Sequence, residues 1–244
     1  MENNSFRSSQ QTQSAGTLAD ILEKNRKMKQ AEHSKIINRI AKEKFKPYGI
    51  TQKGQSRIWL DDRGWYTTII EFQPYRGERG TTLNIGVNFH WYEKDYFSFD
   101  IGSRQDVDFV NFEEDNVESF IKNIEDFCEI CLKKVFENRV NFNSIYSSKE
   151  HILKHNFTSE ELWGNYSKGI ICGLTNDFNE QNKYFNKLLN TVHPVKWADE
   201  LKERTNYLIT KSSNQKIFTS EILKIIIETR KSKKLSEVEI VLNV

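Results

Sequence analysis

The stretch Thr81-Thr-Leu-Asn-Ile-Gly-Val-Asn-Phe-His-Trp-Tyr92 decides how this chain is read. Leu83, Ile85, Val87 and Phe89 alternate with Asn84, Gly86, Asn88 and His90. Successive side chains of a strand point to opposite faces, so this period of two describes one apolar and one polar face. Tyr96 to Arg104 repeats the pattern with Phe97, Phe99 and Ile101 on one side. Upstream, Trp65 to Gln73 is rich in the aromatic and β-branched residues that suit a pleated surface. Arg57 to Leu60 precedes it, across the turn residues Asp61-Asp-Arg-Gly64. Short connections favour antiparallel neighbours, so the region predicts a meander of about four strands. Pro74 to Gly80, with two glycines, reads as an exposed loop.

Helices are expected on either side of this sheet. Ile36, Ile37, Ile40, Ala41 and Phe45 have helical spacing, and Pro47-Tyr-Gly49 stops them. Thr17 to Asp20 could cap an earlier start, although Glu23 to Gln30 is strongly polar. After an acidic lead from Asp106 to Asp115, an apolar stripe runs from Phe120 through Ile124, Phe127, Cys128, Cys131 and Phe136. From Asn141 onward the pattern is helical. Thr158-Ser-Glu-Glu161 has capping-box spacing, Phe178 to Val192 and Trp197 to Ile209 are amphipathic, and Thr219-Ser-Glu221 opens a last helix. Val238 to Val244 could add a short strand. The fold class expected is α+β: an antiparallel meander flanked by helices, then an all-helical C-terminal extension. The expected divisions are a disordered leader over 1–16, an α+β domain over 17–140 and a helical region over 141–244.

Composition narrows the function classes. The chain has 244 residues, 37% of them hydrophobic, enough for a substantial core. A net charge of +2 gives no global drive toward nucleic acid or anionic membrane. No apolar run approaches the roughly 20 residues of a bilayer span, and Met1-Glu-Asn-Asn-Ser5 begins no secretory signal. Three cysteines suit a reducing compartment, so the expected location is the cytoplasm.

Phe45-Lys-Pro-Tyr-Gly-Ile50, Lys53-Gly54, Arg57-Ile-Trp59, Phe72-Gln73 and Leu83-Asn-Ile-Gly-Val87 follow one another in a recognisable order. Over roughly residues 36–136 the chain resembles the bacterial domain-of-unknown-function family 4304. Members run a Lys-Pro-x-Gly helix stop into a Trp- or Tyr-bearing strand, then a strand with Gln and one with Asn-x-Gly. Ile101-Gly-Ser-Arg104 resembles the family's final strand ending in Arg. The chain departs at Gln73-Pro-Tyr75, where members often continue from Gln to Lys-Ser. The resemblance implies a fold and carries no activity.

The candidate binding surface is the polar face of the sheet. By strand parity it gathers Asn84, Asn88 and His90 with Ser98, Asp100 and Arg104, joined by Glu71 and Gln73. Amides, an imidazole, a carboxylate and a guanidinium together could hold a polar ligand or a partner loop. A half-covered sheet also has a wet second side simply by construction. Gly86 permits close approach of another backbone.

Other motifs carry less chemistry. Cys128-Glu-Ile-Cys131 lacks the second ligand pair of a structural zinc site, and both thiols lie on a helix's apolar stripe. His151 and His155 have the spacing of a helical metal pair, but Ile152 stands where a zincin has Glu. No metal, cofactor or catalytic residue is assigned. Charge is segregated: 10 Lys/Arg against 4 Asp/Glu from Arg7 to Lys46, and 7 against 2 from Lys211 to Lys234. Such runs are usually the wet faces of helices, yet converging basic ends could contact phosphates.

The expected function is a non-catalytic module that recognises a protein partner. Small bacterial domains of this type are often immunity or defence-associated factors, an analogy at the level of fold. The alternatives are nucleic-acid binding through the basic ends, and an enzyme using His90, Asp100 and Arg104 on the sheet.

Overall fold

The computed structural model describes residues 18–242, with side chains from Glu32 onward. The expected leader over 1–16, and Thr17 as a cap, lie outside the described residues. The architecture is α+β: an open antiparallel sheet flanked by helices and followed by a helical C-terminal part.

Helix α1 (Leu18–Phe45) begins earlier than the apolar spacing suggests, because its polar first half needs no buried stripe to be helical. Pro47 sits in a 3₁₀ turn over Lys46–Tyr48, and Gly49 closes it with a left-handed φ of 75°. The strands are β1 (Thr51–Gln52), β2 (Ile58–Asp62), β3 (Tyr66–Gln73), β4 (Gly80–Phe89), β5 (Ile101–Arg104) and β6 (Val110–Asn111). They pair in the order β1-β2-β3-β4-β5, and β6 joins the far end of β4 at Gly80 and Thr81. The register sets Asn84 opposite Glu71 and Arg104, and Asn88 opposite Thr67. β1 and β6 are too short to show any alternation in sequence.

The expected strand over Tyr96 to Arg104 is corrected to its last four residues. Phe99 leaves the ladder to cover Gly86, where an added Cβ would meet its ring at 2.2 Å. Its carbonyl accepts the Thr158 hydroxyl at 2.8 Å, and the Asp100 carbonyl accepts the Thr158 N–H at 3.2 Å. Thr158 is thereby drawn away from the capping role its spacing suggests. Glu160 instead accepts the Phe157 N–H at 3.2 Å, ahead of a π-helical turn over Glu160–Gly164.

The remaining helices are α2 (Val117–Asn141), α3 (Ile145–Lys154), α4 (Asn165–Leu174), α5 (Phe178–Asn190), α6 (Lys196–Ile209) and α7 (Gln215–Ser232). α7 starts at Asn214, whose side chain accepts the Ile217 N–H, rather than at Thr219. No strand forms within Val238 to Leu242; this tail instead buries Leu242 in the core.

Two apolar clusters share β3 and β4. On one face, Ile37, Ile40 and Phe45 of α1 and Phe120, Ile124 and Cys128 of α2 cover Ile70, Phe72, Leu83 and Ile85. At the other end of the strands, Trp65, Tyr66, Phe89 and Trp91 enter the core of the C-terminal helices. Trp91 stacks on Phe89 at 4.4 Å and on Trp65 at 5.5 Å. Its indole N–H donates to Ser167 of α4, and the Tyr166 hydroxyl donates to the Trp91 carbonyl at 3.0 Å. Burying one such aromatic contributes about 1.5–3 kcal/mol.

Candidate functional site

Asn84 and Asn88 of β4 and His90 just after it share one face, but Ser98 and Asp100 reach that face from outside β5. Phe99 lies on this face over Gly86 instead of beside Ile101 on the apolar side. The fold divides the face into two unlike halves. One half is buried. Asn88 and His90 are fully enclosed, and the end of α7 brings Lys233 down onto both. With Lys233 as an ammonium, which only donates, Nδ1 of His90 accepts from it at 3.2 Å and the ring's Nε2–H donates to Thr67 at 2.9 Å. Asn88 accepts from Lys233 and donates to Asp100 at 2.9 Å and to Ser98 at 3.2 Å. Asp100 also takes the Phe89 N–H at 2.7 Å and lies 3.7 Å from the Lys94 ammonium.

Burial governs the protonation of this half. It holds the His90 imidazole well below its usual value of 6.5, helped by the positive charges of Lys233 and Arg230. It also pulls Lys233 down to about 7, a fall that Asp100 opposes and that Lys94, Arg230 and Lys53 deepen. A base near neutrality is what general acid–base chemistry needs. Here both His90 nitrogens are committed to neighbours, and no side of the ring meets solvent.

The other half is open. Asn84 donates to Glu71 at 2.8 Å and to Gln73 at 3.1 Å. The exposed Arg104 guanidinium donates to Gln73 at 2.9 Å and to the Tyr75 hydroxyl at 2.5 Å. Gln73, Asn84 and Arg104 therefore form one corner, and Asn88, His90 and Asp100 another. Tyr75 extends the open corner into a cleft of about 650 Å³ beside Arg57, Pro74 and Arg76. Gly86 lies between the halves, and the approach it permits is taken by Phe99 of the same chain.

A second surface, which strand parity could not reveal, lies where the loop after β4 meets the helical part. Tyr92, Tyr96, Trp163 and Trp197 line a cleft of about 580 Å³. Trp163 and Trp197 stack at 5.7 Å and 13°, and Tyr92 meets Trp163 edge-on at 4.8 Å. Trp197 is 39% exposed and Tyr96 57%. The Lys94 ammonium sits 3.7 Å from the Trp163 ring centroid and 5.9 Å from those of Tyr92 and Tyr96. The sequence signal was partial, since Trp197 stands four residues before Leu201 at the edge of the buried α6 stripe of Ala198, Leu201, Thr205 and Leu208, yet is exposed. The approach of Tyr92 and Tyr96 was not signalled.

Cys128 and Cys131 are buried in the core, where burial pushes the Cys128 thiol up to about 12. The His151 and His155 rings lie 5.3 Å apart, tilted at 37°, and burial lowers both below 6.5. Among the described residues no group of three potential metal ligands is found, and no helix is long and apolar enough to cross a membrane. No family model, curated protein or solved structure matches this chain.

Proposed function

We propose that this chain is a non-catalytic interaction protein that recognises a protein partner. The observation that carries the reading is the half-exposed aromatic cleft of Tyr92, Tyr96, Trp163 and Trp197. Trp and Tyr dominate the energetic centres of protein interfaces, where a rigid apolar ring is desolvated at little entropic cost. The open corner of Gln73, Asn84 and Arg104 supplies a polar second contact. The family 4304 resemblance belongs to the same proposal, supported by the helix stop at Pro47 and the strand order after it. So do a cytoplasmic location and a place in bacterial defence, which rest on the sequence and on fold analogy alone.

The enzyme alternative is weakened by the enclosure of His90 and Asp100 among their own partners. The nucleic-acid alternative loses two of its C-terminal cations, because Arg230 and Lys233 are buried among partners on the sheet.

Affinity purification at moderate salt tests the reading, with absorbance at 260 and 280 nm and mass spectrometry on one eluate. A stoichiometric protein is expected, lost with Trp197→Ala or with Asn84→Ala plus Arg104→Ala. Substrate turnover that disappears with His90→Ala while the folded state persists would overturn it. Salt-labile nucleic acid in place of protein would do the same.

A further inference from the structure

The aromatic cleft continues along α6 into a second cleft of about 380 Å³, and the two share Tyr92, Glu93 and Glu200. Residues 197, 200, 204 and 207 recur at three- and four-residue steps, so one face of α6 forms the wall of a single groove. The adjoining face of the same helix, with Ala198, Leu201, Thr205 and Leu208, is buried in the core and seats that wall. Trp163 is presented by the π-helical turn, a local distortion that recurs at functional sites.

The chemistry of the groove is acidic as well as aromatic. Asp95, Glu93, Glu200 and Glu203 line it, against Lys94 and Arg204. Arg204 is paired with Glu93, and Lys94 with Asp100. Asp95 and Glu203 are exposed, and the Glu200 partner Lys196 is a solvent-facing residue at 3.5 Å. Lys94 already shows what these rings accept, because its ammonium lies against the Trp163 face. An aromatic face attracts a cation through its quadrupole, by roughly 0.5–2 kcal/mol depending on desolvation.

We propose that this groove binds an arginine or lysine side chain of a partner's peptide segment. The apolar stem lies along Trp197 and Tyr96, and the charged head pairs with Glu200 and Asp95. Lys94 occupies the inner cage and limits affinity as a like charge beside the incoming cation. The proposal rests on the partner-recognition reading and names the chemistry of the partner.

The test is a titration of the intact chain with a hexapeptide containing two adjacent arginines, followed by protection of tryptophan fluorescence from acrylamide. Trp59, Trp65 and Trp91 are buried, so a change in quenching reports Trp163 and Trp197. Saturable protection is expected, weakened at least tenfold by Trp197→Leu and by Glu200→Gln, and strengthened by Lys94→Met. A peptide with glutamates in place of the arginines should give none. Circular dichroism checks that each variant is folded. Absence of saturable binding, or binding that Trp197→Leu leaves unchanged, overturns the proposal, the latter meaning diffuse charge attraction only. A stoichiometric protein partner that survives Glu200→Gln would remove the cationic chemistry and leave the interaction reading standing.

Discussion

Burial brings the Lys233 ammonium to a value of about 7, against 10.5 for a free lysine, and this one residue leaves a mark on the stability of the molecule. Between those values the unfolded chain keeps a proton that the folded chain has released. Stability therefore rises with pH across that window and is penalised below it. His90 acts with the same sign on the acid side, because its buried ring resists a proton that the unfolded chain accepts below 6.5. Denaturant unfolding of the wild type and of Lys233→Met at several pH values between 7 and 10.5 measures the effect. The wild type is expected to gain stability relative to the variant as pH rises. Parallel pH profiles would show that Lys233 is charged in the folded state throughout. Parity placed His90 and Asn88 on the polar face from sequence alone. It could not show that Lys233, more than 140 positions away along the chain, would close over them.

At the scale of elements, the Arg230 guanidinium helps fasten α7 to the sheet, beside Lys233 and Thr229. Arg230 donates to Asp62 at 2.8 Å, to the Gly64 carbonyl at 2.8 Å and to the Ser236 carbonyl at 2.7 Å. Both side chains of the pair are largely buried, with 5% and 18% of their surface exposed. Removing one partner of such a pair strands the other charge, so Arg230→Met is expected to cost about 3–5 kcal/mol in denaturant unfolding. Asp62→Asn in the same background should add little, since the double change leaves no stranded charge. Additive losses would show that the pair does not fasten the helix. Helix stripes were legible in α5, α6 and α7, where burial repeats every turn, but not in α4, which is buried on all sides. Helix starts were not legible either: Thr158 and Thr219 have the right chemistry, but tertiary partners and the earlier Asn214 cap take their place.

For the whole molecule, β3 and β4 run through both apolar clusters, with Phe72 and Leu83 in one, Tyr66 and Phe89 in the other. Neither cluster can dissolve without exposing the other's strands. A single unfolding transition is expected, with far-ultraviolet circular dichroism and tryptophan fluorescence coinciding. Trp91→Ala should lower both signals together, at about 3–5 kcal/mol for the loss of a buried tryptophan. A helical signal that outlasts the fluorescence change would show that the C-terminal helices unfold separately.

The sequence by itself determined the α+β class, the strands around Trp59, Ile70 and Ile85, and the polar face of β4, because these follow from periods of two and 3.6 that act locally. The same period over Tyr96 to Asp100 predicts a strand that does not form. Only the tertiary structure decided which parts of that face stay open. The burial of His90 depends on Lys233, the filling of Gly86 on Phe99, and the aromatic groove on a loop meeting a π-turn and α6. Each joins residues that no local period relates, so their meeting is set by packing and charge across the folded chain.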